Sequence, residues 1–287
     1  MDPIPKRQSM LGAVTAEEQR SAQLLREVAE EWDLRLGDPF ASGQASIAAA
    51  VRLREGRDAV LKLQVPHRES EHEADALRAW DGDGAIRLLA HDPARHALLL
   101  ERCVPGTALS ELDQESALDV FIGLLPRLWT SAGAPFRPLA DEAAWWSSHL
   151  VEEWEGAGRP FERRLIDAAL DALRTLAPTQ GEQVLLHQDL HADNVLRAER
   201  EPWLVIDPKP LAGEREFGIG PIVRSVELGH SRHHVLRRFD RLTAELGLDR
   251  ERARGWTVAQ TVAWSFDSHL RDAHVDTVRW LLDARRR

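Results

Sequence analysis

The sequence predicts an α+β fold in two parts, a small antiparallel β lobe carrying one helix and a larger, mainly helical lobe with a short β element. Two observations predict it. Up to Pro105-Gly106, short stretches alternate with turn-forming segments; beyond Gly106 the apolar residues recur at helical spacing, interrupted only by the apolar runs Val184–Leu186 and Trp203–Ile206. The length, 287 residues, is natural for two domains. The expected boundary lies at 104/105, with 1–33 a leading tail and helix, 1–104 the β lobe and 105–287 the helical lobe.

In chain order, residues 15–33 read as a helix: Thr15 and Glu18 have capping-box spacing, and Leu24, Leu25, Val28 and Trp32 share a face. Strands are expected at Leu34–Leu36, Ser46–Leu53 and Ala59–Leu63, separated by Gly37-Asp38-Pro39 and by the turn 54–58, with Pro66 ending the third. Glu69–Trp80 reads as a helix, closed by Asp81-Gly82-Asp83-Gly84, and Ile86–His91 and Ala97–Arg102 as two further strands. Helices follow at 114–131, 140–156, 160–176, 221–246, 250–270 and 272–285.

Composition excludes several classes. A net charge of −10 argues against a nucleic-acid partner and is compatible with a cationic small substrate. The single cysteine, Cys103, excludes an internal disulfide framework and points to a reducing compartment. No run approaches the ~18–20 apolar residues of a membrane span, and the N-terminus lacks the apolar core of a signal peptide. Three lysines stand against thirty-four arginines, which makes each lysine worth locating.

The strongest motif is His187-Gln188-Asp189-Leu190-His191-Ala192-Asp193-Asn194, an H-x-D-x-x-x-x-N spacing after an apolar run, with Asp207 at the end of the next one. Phosphoryl transfer needs a carboxylate to orient the attacking hydroxyl and take its proton, and oxygen ligands to hold Mg2+ against the phosphates of ATP. Asp189 fits the first task, Asn194 and Asp207 the second. The alternative reading is a His-x-Asp-x-His metal site for hydrolytic or oxygenase chemistry, which leaves the upstream features unexplained. Chief among these is Lys62, in a strand on a face that ought to be sheltered, where an ammonium demands a partner; Glu73 in the following helix is the natural one. A strand lysine between a helix glutamate and nucleotide phosphates is the kinase arrangement. Within Phe40–Ser46, the residues Ser42, Gly43 and Ser46 would then cover the phosphates.

These residues resemble the protein-kinase-like aminoglycoside phosphotransferases, and within them the streptomycin 6-kinase and hydroxyurea phosphotransferase branch. The resemblance rests on Ala59–Gln64 followed by Pro66-His67, on Leu77–Gly84, on Leu98–Arg102 and above all on Arg200–Leu211. It implies a protein-kinase-like two-lobed fold and ATP and Mg2+ as cofactors. It further implies that 1–104 binds the nucleotide and 105–287 is the catalytic and substrate-binding lobe of a kinase acting on a cationic aminoglycoside, streptomycin at its 6-hydroxyl, with a kinase of hydroxyurea or another small hydroxyl compound, or a nucleotide-binding pseudokinase, as alternatives; a cytoplasmic monomer with no nucleic-acid or membrane partner is expected. It also implies that Asp189 is the catalytic base, Asn194 and Asp207 the Mg2+ ligands, Lys62 the phosphate contact paired with Glu73, and Glu101 to Cys103 an adenine-reading hinge. One departure stands out: relatives usually carry an aspartate where this chain has Gly218, an acid that braces the catalytic loop, and Glu214 or Glu216 are the expected substitutes. For a guanidinium-bearing acceptor the expected contacts are Glu227, Asp267, Asp272 and Trp264, with Glu152, Glu153, Glu155, Trp145 and Trp146 as further candidates. His230, His233 and His234 read as an exposed turn.

Overall fold

The computed structural model describes residues 16–40, 46–266 and 268–284, and resolves two compact units. The first holds the described part of Met1–Pro66 together with Leu89–Glu101; the second holds His67–Leu88 and Arg102–Arg287. Thr15, and with it the expected capping box, lies outside the described residues.

In the first unit, α1 (Ala16–Glu31) precedes a five-stranded sheet of β1 (Arg35–Pro39), β2 (Ser46–Arg52), β3 (Asp58–Gln64), β4 (Leu88–Asp92) and β5 (Ala97–Glu101), in the order β1-β2-β3-β5-β4. The pairs β1–β2, β2–β3 and β3–β5 are antiparallel. Leu25, Val28 and Ala29 of α1, at helical spacing, pack on Ala49, Val51, Ala59, Leu61 and Leu63. The period-2 alternation of β3 therefore sends Lys62 to the other face, where it stands in register between Ala48 and Leu98. β1 runs through Gly37-Asp38-Pro39 rather than turning there. The register shifts between Leu36 and Pro39, and glycine gives room there, since a Cβ at 37 would lie 3.1 Å from the Ala50 carbonyl oxygen, a tight approach.

The second unit takes α2 (Glu73–Trp80). The sequence reading groups residues 67–88 with the β lobe; in the structure they are tied into the second unit, because Trp80 Nε1 donates to the Leu128 carbonyl at 2.9 Å and residues 84–86 form a parallel bridge with Val205. α2 starts four residues later than expected, since the His67 ring Nδ1 accepts the backbone N–H groups of Glu69 and Ser70 and holds a separate turn. The helices α3 (Gln114–Leu128), α4 (Leu139–Gly156), α5 (Arg163–Leu176), α6 (Gly220–Arg224), α7 (Arg232–Glu245), α8 (Arg250–Ala263) and α9 (Arg271–Ala284) make up most of the unit. Two small antiparallel pairs sit among them, β6 (Val184–Leu186) with β9 (Leu211–Gly213) and β7 (Val195–Arg197) with β8 (Trp203–Val205). In its core Trp146 stacks on Phe217, which meets Trp256 edge to face. No helix among the described residues is long and apolar enough to cross a membrane.

The single helix expected over 221–246 is two, and Arg238 shows why. Its guanidinium, fully buried, donates to the carbonyls of Val223, Ser225, Leu228 and Gly229 and to the Gln114 side chain, so the chain between α6 and α7 is folded around it. Ser231 then caps α7. His233 and His234 belong to that helix, and His230 pairs with the Ala273 carbonyl and stacks on Trp280, so the expected exposed turn is not one.

Buried His274 in α9 gives the fold a pH dependence. Burial, aided by the Arg224 charge, holds its pKa down to about 3, so the folded protein keeps it neutral. Below the unfolded value near 6.5 the unfolded chain takes a proton that the folded one refuses, and stability falls with pH by up to roughly 1.4 kcal/mol per unit. Urea unfolding at pH 7.5 and 5.5 should show the parent losing about 1 kcal/mol more than H274L; identical slopes would exclude this role.

Candidate active site

β6, wholly buried, delivers the chain into the polar loop 187–194, and a single 3-10 turn, Ala192–Asn194, leads it into β7. The loop is tightly cross-linked. The His187 carbonyl accepts the N–H of Asp189 at 2.8 Å and of Lys209 at 3.0 Å, Asp189 O accepts His191 N–H at 3.1 Å, and Asn194 O accepts Ile206 N–H at 3.0 Å. Gln188, between His187 and Asp189, has a left-handed backbone (φ 64°), as has Asp207 (φ 56°). Non-glycine residues rarely adopt this conformation, and it clusters where geometry serves a site.

Asp189 meets Lys209, whose Nζ donates to its Oδ2 at 2.7 Å. Burial pushes the Asp189 carboxyl up, but the charges of Lys209, His191 and Arg224 outweigh it and hold the group below the usual carboxylate range. Burial likewise opposes the Lys209 ammonium, and Asp189 outweighs that, so Lys209 titrates above its usual value. Both are charged at neutral pH. His187 is different: burial pushes it down to about 4, and its Nε2–H donates to the Ile206 carbonyl at 2.9 Å. The neutral ring is thus a structural spacer between β6 and the end of β8. Among the described residues, the potential ligand atoms that gather around His191 are those of Asp193 and Glu227, and His187 is not among them, which disfavours the His-x-Asp-x-His metal reading.

The two expected metal ligands lie on either side of this loop. Asn194 Nδ2 donates to the Asp189 carbonyl at 2.9 Å, which turns the amide so that its oxygen is the atom left to ligate. Asp207 supplies a carboxylate just past β8. One amide oxygen and one carboxylate are a hard-oxygen donor set that fits Mg2+, which keeps waters and phosphate oxygens in its other positions.

In the first unit, Lys62 is buried, 7% exposed, in the middle strand of the sheet; Ser46 opens β2 and Glu101 closes β5. In the second, Glu73 is 1% exposed at the start of α2, against an exposed Glu71, and Cys103 is half-buried. Ser42, Gly43 and Asp267 lie outside the described residues.

The expected acceptor contacts fare differently. Glu227 Oε1 accepts the Ala192 N–H at 3.0 Å and the Ser225 hydroxyl at 2.7 Å and lies 3.6 Å from His191 Nδ1, so it frames the loop 187–194. Burial works against its charge, but His191 and the other donors hold it down to about 2. Two of the protein's own cations lie over the Trp264 ring, Arg224 at 4.7 Å and Lys209 at 5.2 Å. Asp272 is exposed on the first turn of α9, Glu152 and Glu155 on α4, where Glu153 is half-buried. Trp146 is core, and the Trp145 ring carries Arg68 at 5.0 Å. Nor do Glu214 and Glu216 brace the loop: Glu214 binds Arg252, Trp256 and the Gly181 N–H, and Glu216 accepts from Asp249. The residues that do reach the loop, Glu227 and Gln260, carry no spacing that would mark them, and only Lys209 was foreshadowed by the scarcity of its type.

A family model of aminoglycoside/hydroxyurea antibiotic resistance kinases matches residues 32–268. The streptomycin 6-kinase of Streptomyces glaucescens is 40% identical over 255 residues, covering 85% of this chain and 82% of the relative. The hydroxyurea phosphotransferase of Kitasatospora aureofaciens is 46% identical over 244 residues, 82% and 69% of the two chains. Among solved structures, a thermostable mutant of the aminoglycoside phosphotransferase APH(4)-Ia, in complex with ADP and hygromycin B, superposes with a TM-score of 0.61 at 17% identity, covering 90% of this chain and 95% of that one. The choline kinase LicA from Streptococcus pneumoniae gives 0.63 at 14% identity, covering 92% and 98%. The fold is protein-kinase-like, as the α+β pattern and the motif order predict.

Removing one member of the Asp189–Lys209 pair strands the other as a part-buried lone charge, whereas removing both strands neither. In a double-mutant cycle of K209M and D189N followed by urea unfolding, the double variant should be more stable than the sum of the single losses by about 1–3 kcal/mol. Strict additivity would show that the two charges do not interact.

Proposed function

Because the chain belongs to the family of aminoglycoside/hydroxyurea antibiotic resistance kinases, we propose that it is an ATP-dependent O-phosphotransferase. Its acceptor on this reading is a hydroxyl of a cationic aminoglycoside, streptomycin at the 6-position, and its role is resistance in the cytoplasm. The observation that carries the reaction is the anionic Asp189, held by Lys209 in a loop that also presents Asn194 and stands beside Asp207. The identity of 40% with a streptomycin 6-kinase over most of both chains supports the acceptor.

Asp189 orients the acceptor hydroxyl and takes its proton as that oxygen bonds to the γ-phosphorus and the bond to the ADP oxygen breaks. Lys209 keeps Asp189 ionised and places a positive charge where charge spreads over the phosphoryl oxygens. Asn194 and Asp207 would hold Mg2+, which neutralises the nucleotide phosphates when bound. Lys62 would contact the α- and β-phosphates with Glu73 as its supporting carboxylate, Ser42, Gly43 and Ser46 would cover the phosphates, and Glu101 to Cys103 would read adenine. A second reading keeps the chemistry and changes the acceptor to hydroxyurea; the 46% identity with a hydroxyurea phosphotransferase favours it specifically.

ADP release measured against streptomycin, hydroxyurea and deoxystreptamine aminoglycosides decides between them. The parent should turn over streptomycin most efficiently, D189N should lose at least about 1000-fold in kcat while remaining folded, and chelation of Mg2+ should stop turnover reversibly. Preference for hydroxyurea establishes the second reading, and an active, folded D189N removes Asp189 from its role.

A further inference from the structure

Position 218 is a glycine with little room above it: a Cβ there would lie 3.2 Å from Trp129 Nε1 and 3.4 Å from Leu186 Cδ2. The loop nevertheless needs an anchor at Gln188. That residue is left-handed and 1% exposed, and both polar atoms of its side chain are buried without a partner. Its carbonyl makes the one hydrogen bond the structure gives it among the described residues, accepting from Gln260 Nε2 of α8 at 3.0 Å. The Gln260 oxygen in turn accepts from Arg224 Nη1 of α6 at 2.9 Å. A guanidinium only donates and a carbonyl only accepts, so these two partners fix the amide in one orientation.

We propose that Gln260 is a positioning residue for the catalytic loop, relaying the buried Arg224 to the backbone immediately before Asp189 and doing the bracing that no side chain at 218 does. The relay explains a second glycine. Gly220 lies in α6 with ordinary helical backbone, where alanine is intrinsically better. A Cβ at 220, however, would overlap the Gln260 side-chain oxygen and lie 3.5 Å from Gln260 Cδ, with Thr257 Cα next at 3.7 Å. Gly220 is therefore the space in which the relay amide sits. All four groups, Gly220, Arg224, Gln260 and the Gln188 carbonyl, belong to the second unit, and none of them binds the nucleotide in this arrangement.

The inference rests on the phosphotransfer reading for its kinetic consequence but not for its structural one, so two readouts separate them. Q260L removes both hydrogen bonds. Q260E keeps an acceptor for Arg224 but sets a carboxylate against the Gln188 carbonyl. G220A leaves Gln260 in place and pushes its amide aside, a displacement a flexible side-chain end accommodates without unfolding. Each should lower kcat about 10–100-fold, the range expected when a reacting group shifts by about 1 Å, while binding of Mg2+·AMP-PNP stays within about twofold. Q260E should melt no lower than the parent, since it gains an ion pair with Arg224. G220A introduced into Q260L should cause no further loss, because the amide it displaces is gone. Hydrogen exchange of the amides at 189–192 should be faster in all three single variants, whatever the acceptor. Parent-like kcat in Q260L or Q260E, multiplying losses in G220A/Q260L, or unchanged exchange at 189–192 overturns the proposal. If the parent transfers phosphate to no acceptor, the functional reading fails, and the exchange measurement still decides the brace.

Discussion

A carboxylate that is to take a proton inside a protein must first be kept from holding one. Burial works against Asp189, as desolving an ion costs several kcal/mol, whereas two unit charges about 4 Å apart gain about 4 kcal/mol at an effective dielectric of 20. One contact with Lys209 is of the same size as the penalty, so the balance is close and the surrounding charges decide it. His191 and Arg224 tip it toward the anion. The active loop is consequently not an isolated motif. Its ionisation state depends on a lysine twenty residues downstream and an arginine in α6, and the fold has to hold these to within fractions of an ångström.

Much of the second unit can be understood as meeting that requirement. The two short strand pairs fix where the loop enters and leaves, and neutral His187 joins them through the Ile206 carbonyl. Glu227 takes the Ala192 N–H on one side, Gln260 the Gln188 carbonyl on another, and Asn194 the Asp189 carbonyl from within. Behind Glu227 stands Arg238, whose five acceptors shape the chain from 223 to 229 and so place Ser225 and Glu227. Such a network is valuable only when complete, since a buried polar group left unpaired costs more than a satisfied one contributes.

This also accounts for what the sequence disclosed and what it hid. The order of elements, the H-x-D-x-x-x-x-N spacing and the strand-terminal Asp207 are local patterns, and each is where the pattern puts it. Lys62 was legible for a different reason: a lone lysine at an inward strand position is costly enough to demand explanation. The brace was not legible, because a missing acid at 218 suggested a replacement close by in sequence, at 214 or 216, whereas the group that reaches the loop comes from α8, more than forty residues on. The break between α6 and α7 was hidden in the same way. Residues 221–246 have helical periodicity throughout, and what interrupts them is a guanidinium from within the second helix capturing the Val223 carbonyl of the first and those of Ser225, Leu228 and Gly229 beyond it.

The excess of arginine over lysine then has a physical reading at the sites where it matters most. Burial pulls Arg224 and Arg238 down only to about 10, so both stay charged at neutral pH, and the planar fork lets Arg238 serve five acceptors at once. A lysine in the place of Arg238 would offer three donors to five acceptors and would shed its proton far more readily. At 209 the demands are reversed. There a single contact to one carboxylate oxygen is wanted, close to where a phosphoryl group would arrive, and a compact ammonium on a flexible stem supplies it without a fork that would bind the carboxylate through both oxygens and occupy the lone pair needed by the acceptor hydroxyl. At 238 and 209, then, the residue type follows the number of partners the cation must satisfy.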